Sequence, residues 1–217
     1  MRASEILSSE ASEVLANLWE LDAQQRQHHD RGPDSLKAVH PSVAELLHVL
    51  ILQKQANTIV EFGTSHGLST IWLADAARRT GGHVYSVDAM PSKTSSAKDN
   101  LRSAGLADQV TLTSADGVDF AKTLPDGIDF VFVDFGLPAF LPAFERLKPK
   151  MAVGAALFVD GGPEGHWQEQ PNLDCLRQLE AERGLVLIRL PMVKEHLLAV
   201  VVETAEPGTC GVTATSG

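Results

Sequence analysis

Four carboxylates, Glu61, Asp88, Asp134 and Asp160, lie inside or just after short apolar runs of this chain. Glu61 sits in T-I-V-E-F, which stops at Gly63, turns through Thr64, Ser65 and His66, and restarts at Gly67 as a helical pattern of Leu68, Ile71, Trp72 and Leu73. Glycines let a ligand approach the backbone closely, and a helix N-terminus exposes unpaired N–H groups and partial positive charge. The glycine spacing is G-x-x-x-G rather than the G-x-G-x-x-G of dinucleotide sites. A carboxylate at Asp88 can accept both hydroxyls of a ribose; otherwise it is a solvated loop acid. Asp134 and Asp160, on strands expected to be neighbours, either hold a divalent cation, push one pKa upward, or simply cap the segments that follow. His166, His40 and His66 are candidate proton carriers, although a lone histidine is more often structural.

The elements that must position these residues follow from apolar periodicity. Residues 3–27 read as a helix with Ser4 or Ser8 as its cap, and a second helix runs from Pro41 and Ser42 to about Gln55. His28 and His29 between them read as a solvated loop. Strands are predicted at 58–62, 83–87, 110–113, 128–133, 156–159, 185–190 and 196–202. Helices are predicted at about 67–79, 92–104, 117–124, 138–148 (broken by proline) and 170–183. The connection 191–195 is too short for a crossover helix, so the last two strands pair antiparallel. The predicted fold is α/β, a doubly wound Rossmann-like seven-stranded sheet with extra N-terminal helices. Residues 1–56 form the helical cover or dimer region, 57–203 the ligand-binding domain, and 204–217 a flexible tail. Ligands of such sheets bind outside the carboxyl ends of the strands, where Asp88, Asp134 and Asp160 fall, with the buried-looking Glu61 inside the first strand.

The chain has 217 residues, a formal charge of −10 and a sequence pI of about 5.2. That balance lacks the basic footprint of a nucleic-acid binder and favours a neutral or cationic small molecule. Cys175 and Cys210 make no disulfide framework, which fits a cytoplasmic setting. No run has the length of a membrane span, and the N-terminus lacks a secretory h-region.

Five segments together resemble the class I S-adenosylmethionine (SAM) methyltransferases of the catechol and caffeoyl-CoA O-methyltransferase-like family, over roughly residues 38–203. They are H-P-S-V-A-E-L-L-H-V-L, I-V-E-F-G-T-S-H-G-L-S-T, V-Y-S-V-D, F-V-F-V-D-F and L-K-P-K-M-A-V-G-A-A-L-F-V-D-G. The resemblance implies a strand order of 3-2-1-4-5-7-6, SAM as cofactor and residues 57–203 as the methyltransferase domain. It also implies a small hydroxylated acceptor and a homodimer. Glu61, Gly63, Ser65, Gly67 and Ser69 would serve the methionine end of SAM, Asp88 the ribose, Ser114 and Ala115 the adenine, with Asp134 beside them. Asp116 alternatively caps a helix. The family's metal triad is Asp, Asp, Asn; Asp134 and Asp160 match the first two, and Gly161 stands where Asn is expected. Mg²⁺ on Asp134 and Asp160 is therefore one expectation. A metal-free enzyme is the other, with Asp134, Asp160 or a histidine such as His166 taking the proton, or with the methyl group going to another kind of acceptor atom. The family's lysine three residues after the first Asp is here Leu137. Trp167, Phe135 and Phe140 are candidates for an apolar acceptor wall. A non-catalytic SAM-binding protein and an NAD-binding oxidoreductase stay as alternatives. The latter lacks a Tyr-x-x-x-Lys couple, since the one tyrosine is Tyr85.

Overall fold

The structure, a computed structural model, describes residues 3–30, 32–162 and 165–203. The expected flexible tail and Cys210 lie outside those residues. The helices are α1 (Ala3–Ile6), α2 (Ser9–Gln27), α3 (Pro41–Lys54), α4 (Leu68–Thr80), α5 (Pro91–Ser103), α6 (Gly117–Thr123), α7 (Leu137–Leu147) and α8 (Asn172–Glu180). The strands are β1 (Thr58–Phe62), β2 (His83–Asp88), β3 (Val110–Ser114), β4 (Ile128–Val133), β5 (Met151–Gly162), β6 (Leu185–Pro191) and β7 (Glu195–Val201). They form one sheet in the order β3-β2-β1-β4-β5-β7-β6. The first five strands are parallel, and β7 runs antiparallel to both β5 and β6. The expected order is thus the observed one.

The central strands are apolar on both faces because helices cover both. On one face, Ile59, Phe130 and Phe132 pack under α4 and under Ala11, Leu15 and Leu18 of α2 and Val43, Leu47 and Ile51 of α3. On the other, Val60, Phe62, Val131 and Val133 pack under α6, α7 and α8. The N-terminal helices therefore share a core with the sheet rather than having one of their own. A buried polar staple adds to it: His48 Nε2 of α3 lies 2.9 Å from Asp75 Oδ2 of α4. Asp75 also accepts from Arg78 and Arg79, and Arg79 reaches the carbonyl of Ile6.

Three elements differ from expectation. The first helix is two, because Ser8 takes an extended conformation and its hydroxyl accepts from Ala11 N at 3.2 Å, starting α2 afresh. Pro142 does not break α7, which runs on through it. The proline lacks a donor for the carbonyl four residues back, and that is the exposed Pro138. β5 runs to Gly162 rather than stopping at residue 159, and between Val159 and Gly162 it carries one residue more than β7 opposite. That bulge contains Asp160 and Gly161, and bulges re-aim side chains.

Candidate functional site

The turn after β1 is built on left-handed backbone. Gly63, Ser65 and Gly67 have φ of 106°, 48° and 86°. The N–H groups of Gly63 and Thr64 both donate to the carbonyl of Val87, at 2.9 and 3.1 Å. A side chain at Gly63 would put Cβ 2.9 Å from the carbonyl oxygen of Asp134, so this glycine lets the ends of β1 and β4 meet. Asp88, at the end of β2, accepts from Ser65 N at 2.8 Å and from Met90 N at 2.9 Å. One carboxylate thereby fixes two loops, and each oxygen keeps a lone pair for a ligand.

Gly63, Ser65, Asp88, Ala115 and Asp134 line a cavity of about 380 Å³. Asp116 and Gly117 join them, and Asp116 also caps α6 through Val118 N at 2.8 Å. The Ser65 hydroxyl is buried at this wall without a hydrogen-bond partner. Other residues expected here are placed elsewhere. Glu61 is fully buried and accepts from the hydroxyls of Ser69, Thr70 and Ser86 at 2.6, 2.5 and 2.6 Å. It organises the turn from beneath, through hydroxyls rather than backbone N–H groups, and the Ser69 hydroxyl is spent on it. Burial raises the Glu61 pKa to about 7, against the pull of those hydroxyls. Gly67 serves packing: a Cβ there would stand 3.2 Å from Ala97 of α5. Ser114 is exposed beside Asp88 and is not part of the wall.

A second cavity, of about 340 Å³, adjoins the first; Lys37, Asp134 and Phe135 line both. Asp160, His166, Trp167 and Lys194 line only the second. Asp134 thus stands at the junction, close enough to Asp160 for the two charges to interact. Burial first, then the charge of Asp160, pushes the Asp134 carboxyl well above the ordinary range, against the pull of Lys194. Among the three candidate histidines only His166 faces a cavity of this pair. His40 caps α3 through Ser42 N, and both ring nitrogens of His66 are engaged, by Ser96 Oγ and Asp34 O, each at 2.9 Å. Phe135 and Trp167 line the second cavity, whereas Phe140 belongs to the core.

The residues do not fit a cation held by a triad. A Cβ at Gly161 would lie 1.7 Å from the carbonyl oxygen of Glu195, so no asparagine can stand there. Asp160 Oδ2 already has a cation beside it, Lys194 Nζ at 3.4 Å, and Oδ1 lies 3.1 Å from His196 Nδ1, which itself accepts from Gly161 N. Among the described residues, no three His, Cys, Asp or Glu side chains cluster as metal ligands.

Sequence reasoning missed the basic residues of the site. Arg26, Lys37 and Lys194 line the second cavity and Lys93 the first, in a chain of net charge −10. Arg26 pairs with Asp22, while Lys37 and Lys93 have no ion pair among the described residues. No local signal marks them, because a basic residue on a helix surface, in a loop or in a hairpin turn is ordinarily a solvated one. Among the described residues, no helix is long and apolar enough to cross a membrane.

Known proteins agree with this architecture. The chain is 37% identical over 98 residues to a catechol O-methyltransferase of Mycobacterium tuberculosis, a match covering 45% of this chain and 44% of that one. The chain spans about half the length of the curated relatives it matches first. The cofactor-bound structure of Rv0187 from MTB superposes with a TM-score of 0.75 at 25% identity, covering 88% of this chain and 90% of that one. The O-methyltransferase TomG from Streptomyces achromogenes, in complex with SAM, has a TM-score of 0.74 at 24% identity, covering 94% of this chain and all of that one. At that identity the second likeness is one of fold. A family model described as a methyltransferase domain matches residues 60–187, through the glycine turn, Asp88, Asp134 and Asp160, and the chain belongs to that family.

Proposed function

We propose that the protein is a SAM-dependent O-methyltransferase acting on a small hydroxylated acceptor. The observation that carries the reading is the pair of adjoining cavities meeting at Asp134. The first has the glycine turn at one end and Asp88 at its side, with the unpartnered Ser65 hydroxyl free to donate. Those residues fit SAM: Asp88 for the ribose hydroxyls, Gly63 and Ser65 for the amino-acid end, Ala115 and Asp116 beside the base. When bound, SAM supplies an electrophilic methyl group on a sulfonium. The protein's part is to hold an acceptor oxygen in line and take its proton. Asp134 and His166 both line the acceptor cavity and are the candidate bases. The raised pKa of Asp134 makes it a stronger base than an ordinary carboxylate once ionised. Phe135 and Trp167 offer the apolar wall an aromatic acceptor needs. A homodimer is part of the same reading, supported by the exposed apolar Val186 and Ile188 of edge strand β6. Light scattering that finds only monomer at micromolar concentration would count against it.

The test is calorimetric titration with S-adenosylhomocysteine, with NADH as control, followed by transfer of labelled methyl from SAM to a panel of catechols. Saturable S-adenosylhomocysteine binding weakened in Asp88→Ala, no NADH signal and labelled catechol product are expected. Binding of NADH alone would sink the reading. Tight S-adenosylhomocysteine binding without transfer to any hydroxyl would leave the cofactor site and remove the reaction.

A further inference from the structure

The carboxylate pair of the acceptor cavity needs a counter-charge, and the fold supplies one. This argument rests on the methyl-transfer reading above. The bulge in β5 aims Asp160 toward the turn between β6 and β7, which carries Lys194. That turn is closed by Met192 N donating to Lys194 O at 3.0 Å. Lys194 Nζ stands 3.4 Å from Asp160 Oδ2 and lines the same cavity as Asp134 and His166. Behind the pair, the buried His196 accepts from Gly161 N through Nδ1, which lies 3.1 Å from the other oxygen of Asp160. The position that would complete a triad of ligands is closed by the backbone of β7, against which Gly161 is packed. A protein cation therefore already stands beside one of the two carboxylates that the resemblance assigns to a metal ion.

We propose that Lys194 is the resident cation of the acceptor site, its ammonium serving at the carboxylate pair in place of a divalent ion. It holds the acceptor oxygen as negative charge builds on it. The hydroxyl proton passes to the Asp134 carboxylate. The oxygen keeps its electron pair and bonds to the methyl carbon, whose bond to sulfur breaks with the pair returning to sulfur. No further reactant is needed. Lys194 is 42% exposed, so its charge acts partly screened, yet it lies close enough to oppose a second cation strongly.

The experiment uses the full chain stripped with EDTA and Mn²⁺ as the probe, followed by the paramagnetic resonance of the free ion. Wild type and Lys194→Arg are expected to show no saturable Mn²⁺ site. Lys194→Ala is expected to gain a saturable Mn²⁺ site, roughly tenfold or more tighter than the highest affinity the wild-type titration could leave undetected, from removal of one charge beside Asp160. Adding Asp160→Asn should abolish that gain. Turnover of catechol by wild type should be unchanged in EDTA, fall in Lys194→Ala and return in part in Lys194→Arg. A saturable Mn²⁺ site in wild type that Asp134→Asn removes would overturn the proposal. So would Mn²⁺ binding unchanged by Lys194→Ala, or a Lys194→Arg protein that admits Mn²⁺ as Ala does. S-adenosylhomocysteine binding checks that each variant is folded. Its failure in wild type would refute the methyl-transfer reading separately, while the Mn²⁺ series still reports on the charge.

Discussion

Burial of Glu61 among three hydroxyls makes its proton part of the turn's construction. The folded-state pKa is about 7 against an ordinary 4.5, so the folded protein holds this proton more tightly than the unfolded chain. The associated stability is fully present below pH 4.5, is lost as pH rises to about 7, and changes no further above that. The span corresponds to about 3 kcal/mol. Glu61→Gln removes the titration, so the wild-type stability should fall relative to Glu61→Gln between pH 4.5 and 7, measured by urea unfolding at each end. A constant difference between the two proteins would refute the buried titration. Asp134→Asn tests the proton acceptor: kcat should fall by about 10²–10⁴-fold with S-adenosylhomocysteine affinity little changed. Because burial and Asp160 push the Asp134 carboxyl up, the acid limb of the wild-type pH–rate profile should lie above the ordinary carboxylate range. The limb should vanish in the variant. At this scale the sequence was informative about which acids matter and silent about their partners. Glu61, Asp88, Asp134 and Asp160 are marked by their place in apolar runs. That Ser69 faces Glu61 rather than a ligand depends on how α4 sits over β1, which spacing does not encode.

The elements hold the site through close backbone approaches, and these make unequal predictions for similar substitutions. At Gly161 a methyl group would collide with the Glu195 carbonyl of β7, and no rotamer relieves that. Gly161→Ala should therefore open the β5–β7 pairing and cost about 3 kcal/mol or more. Gly81, which ends α4, has a φ of 76° but open space around it. Gly81→Ala should cost only the backbone strain, about 1 kcal/mol. Chemical denaturation of the two variants checks the contrast, and equal losses would contradict the steric account. Most element boundaries follow from the apolar pattern, as β1 and β4 show. The failures are instructive. Ser8 divides what reads as a single helix over 3–27 because its hydroxyl caps from an extended conformation, and Pro142 is tolerated because the bond it forfeits lies at an exposed helix end. The bulge in β5 is invisible in the sequence, since it exists only relative to β7.

In the whole molecule, the N-terminal helices are joined to the sheet by shared core and by the Asp75 cluster. Burial alone would raise the Asp75 pKa, but His48, Arg79 and Arg78 together lower it to about 2. Its stabilising contribution is therefore present above pH 3.8 and is lost as pH falls through about 2. Asp75→Ala should destabilise by about 2–3 kcal/mol at neutral pH, because it strands His48 without its partner. Faster proteolysis within α2 than within β1 should accompany that loss; unchanged protection of α2 would show that apolar packing alone holds the helices. Charge also behaves differently at this scale. The chain is acidic overall, yet Arg26, Lys37, Lys93 and Lys194 gather around the two cavities. The expectation of a neutral or cationic ligand came from net charge, which hides where the charges stand: the same cavities carry Asp88, Asp116, Asp134 and Asp160, so the field a ligand meets varies from wall to wall. Lys37→Ala should accordingly weaken binding of 3,4-dihydroxybenzoate several-fold while leaving neutral catechol nearly unaffected, with the difference shrinking in high salt. By itself, the sequence determined the alternation of strands and helices, the glycine turn, the terminal hairpin and the acids at the strand ends. All of these are local, because apolar period, glycine spacing and connection length act within a few residues. Only the tertiary structure decided that Asp134 joins two cavities, that Gly161 is closed to any side chain, and that Lys194 stands beside Asp160. The last two depend on residues more than thirty positions apart meeting where β5 lies against β7, and nothing in the chain near either one signals the other.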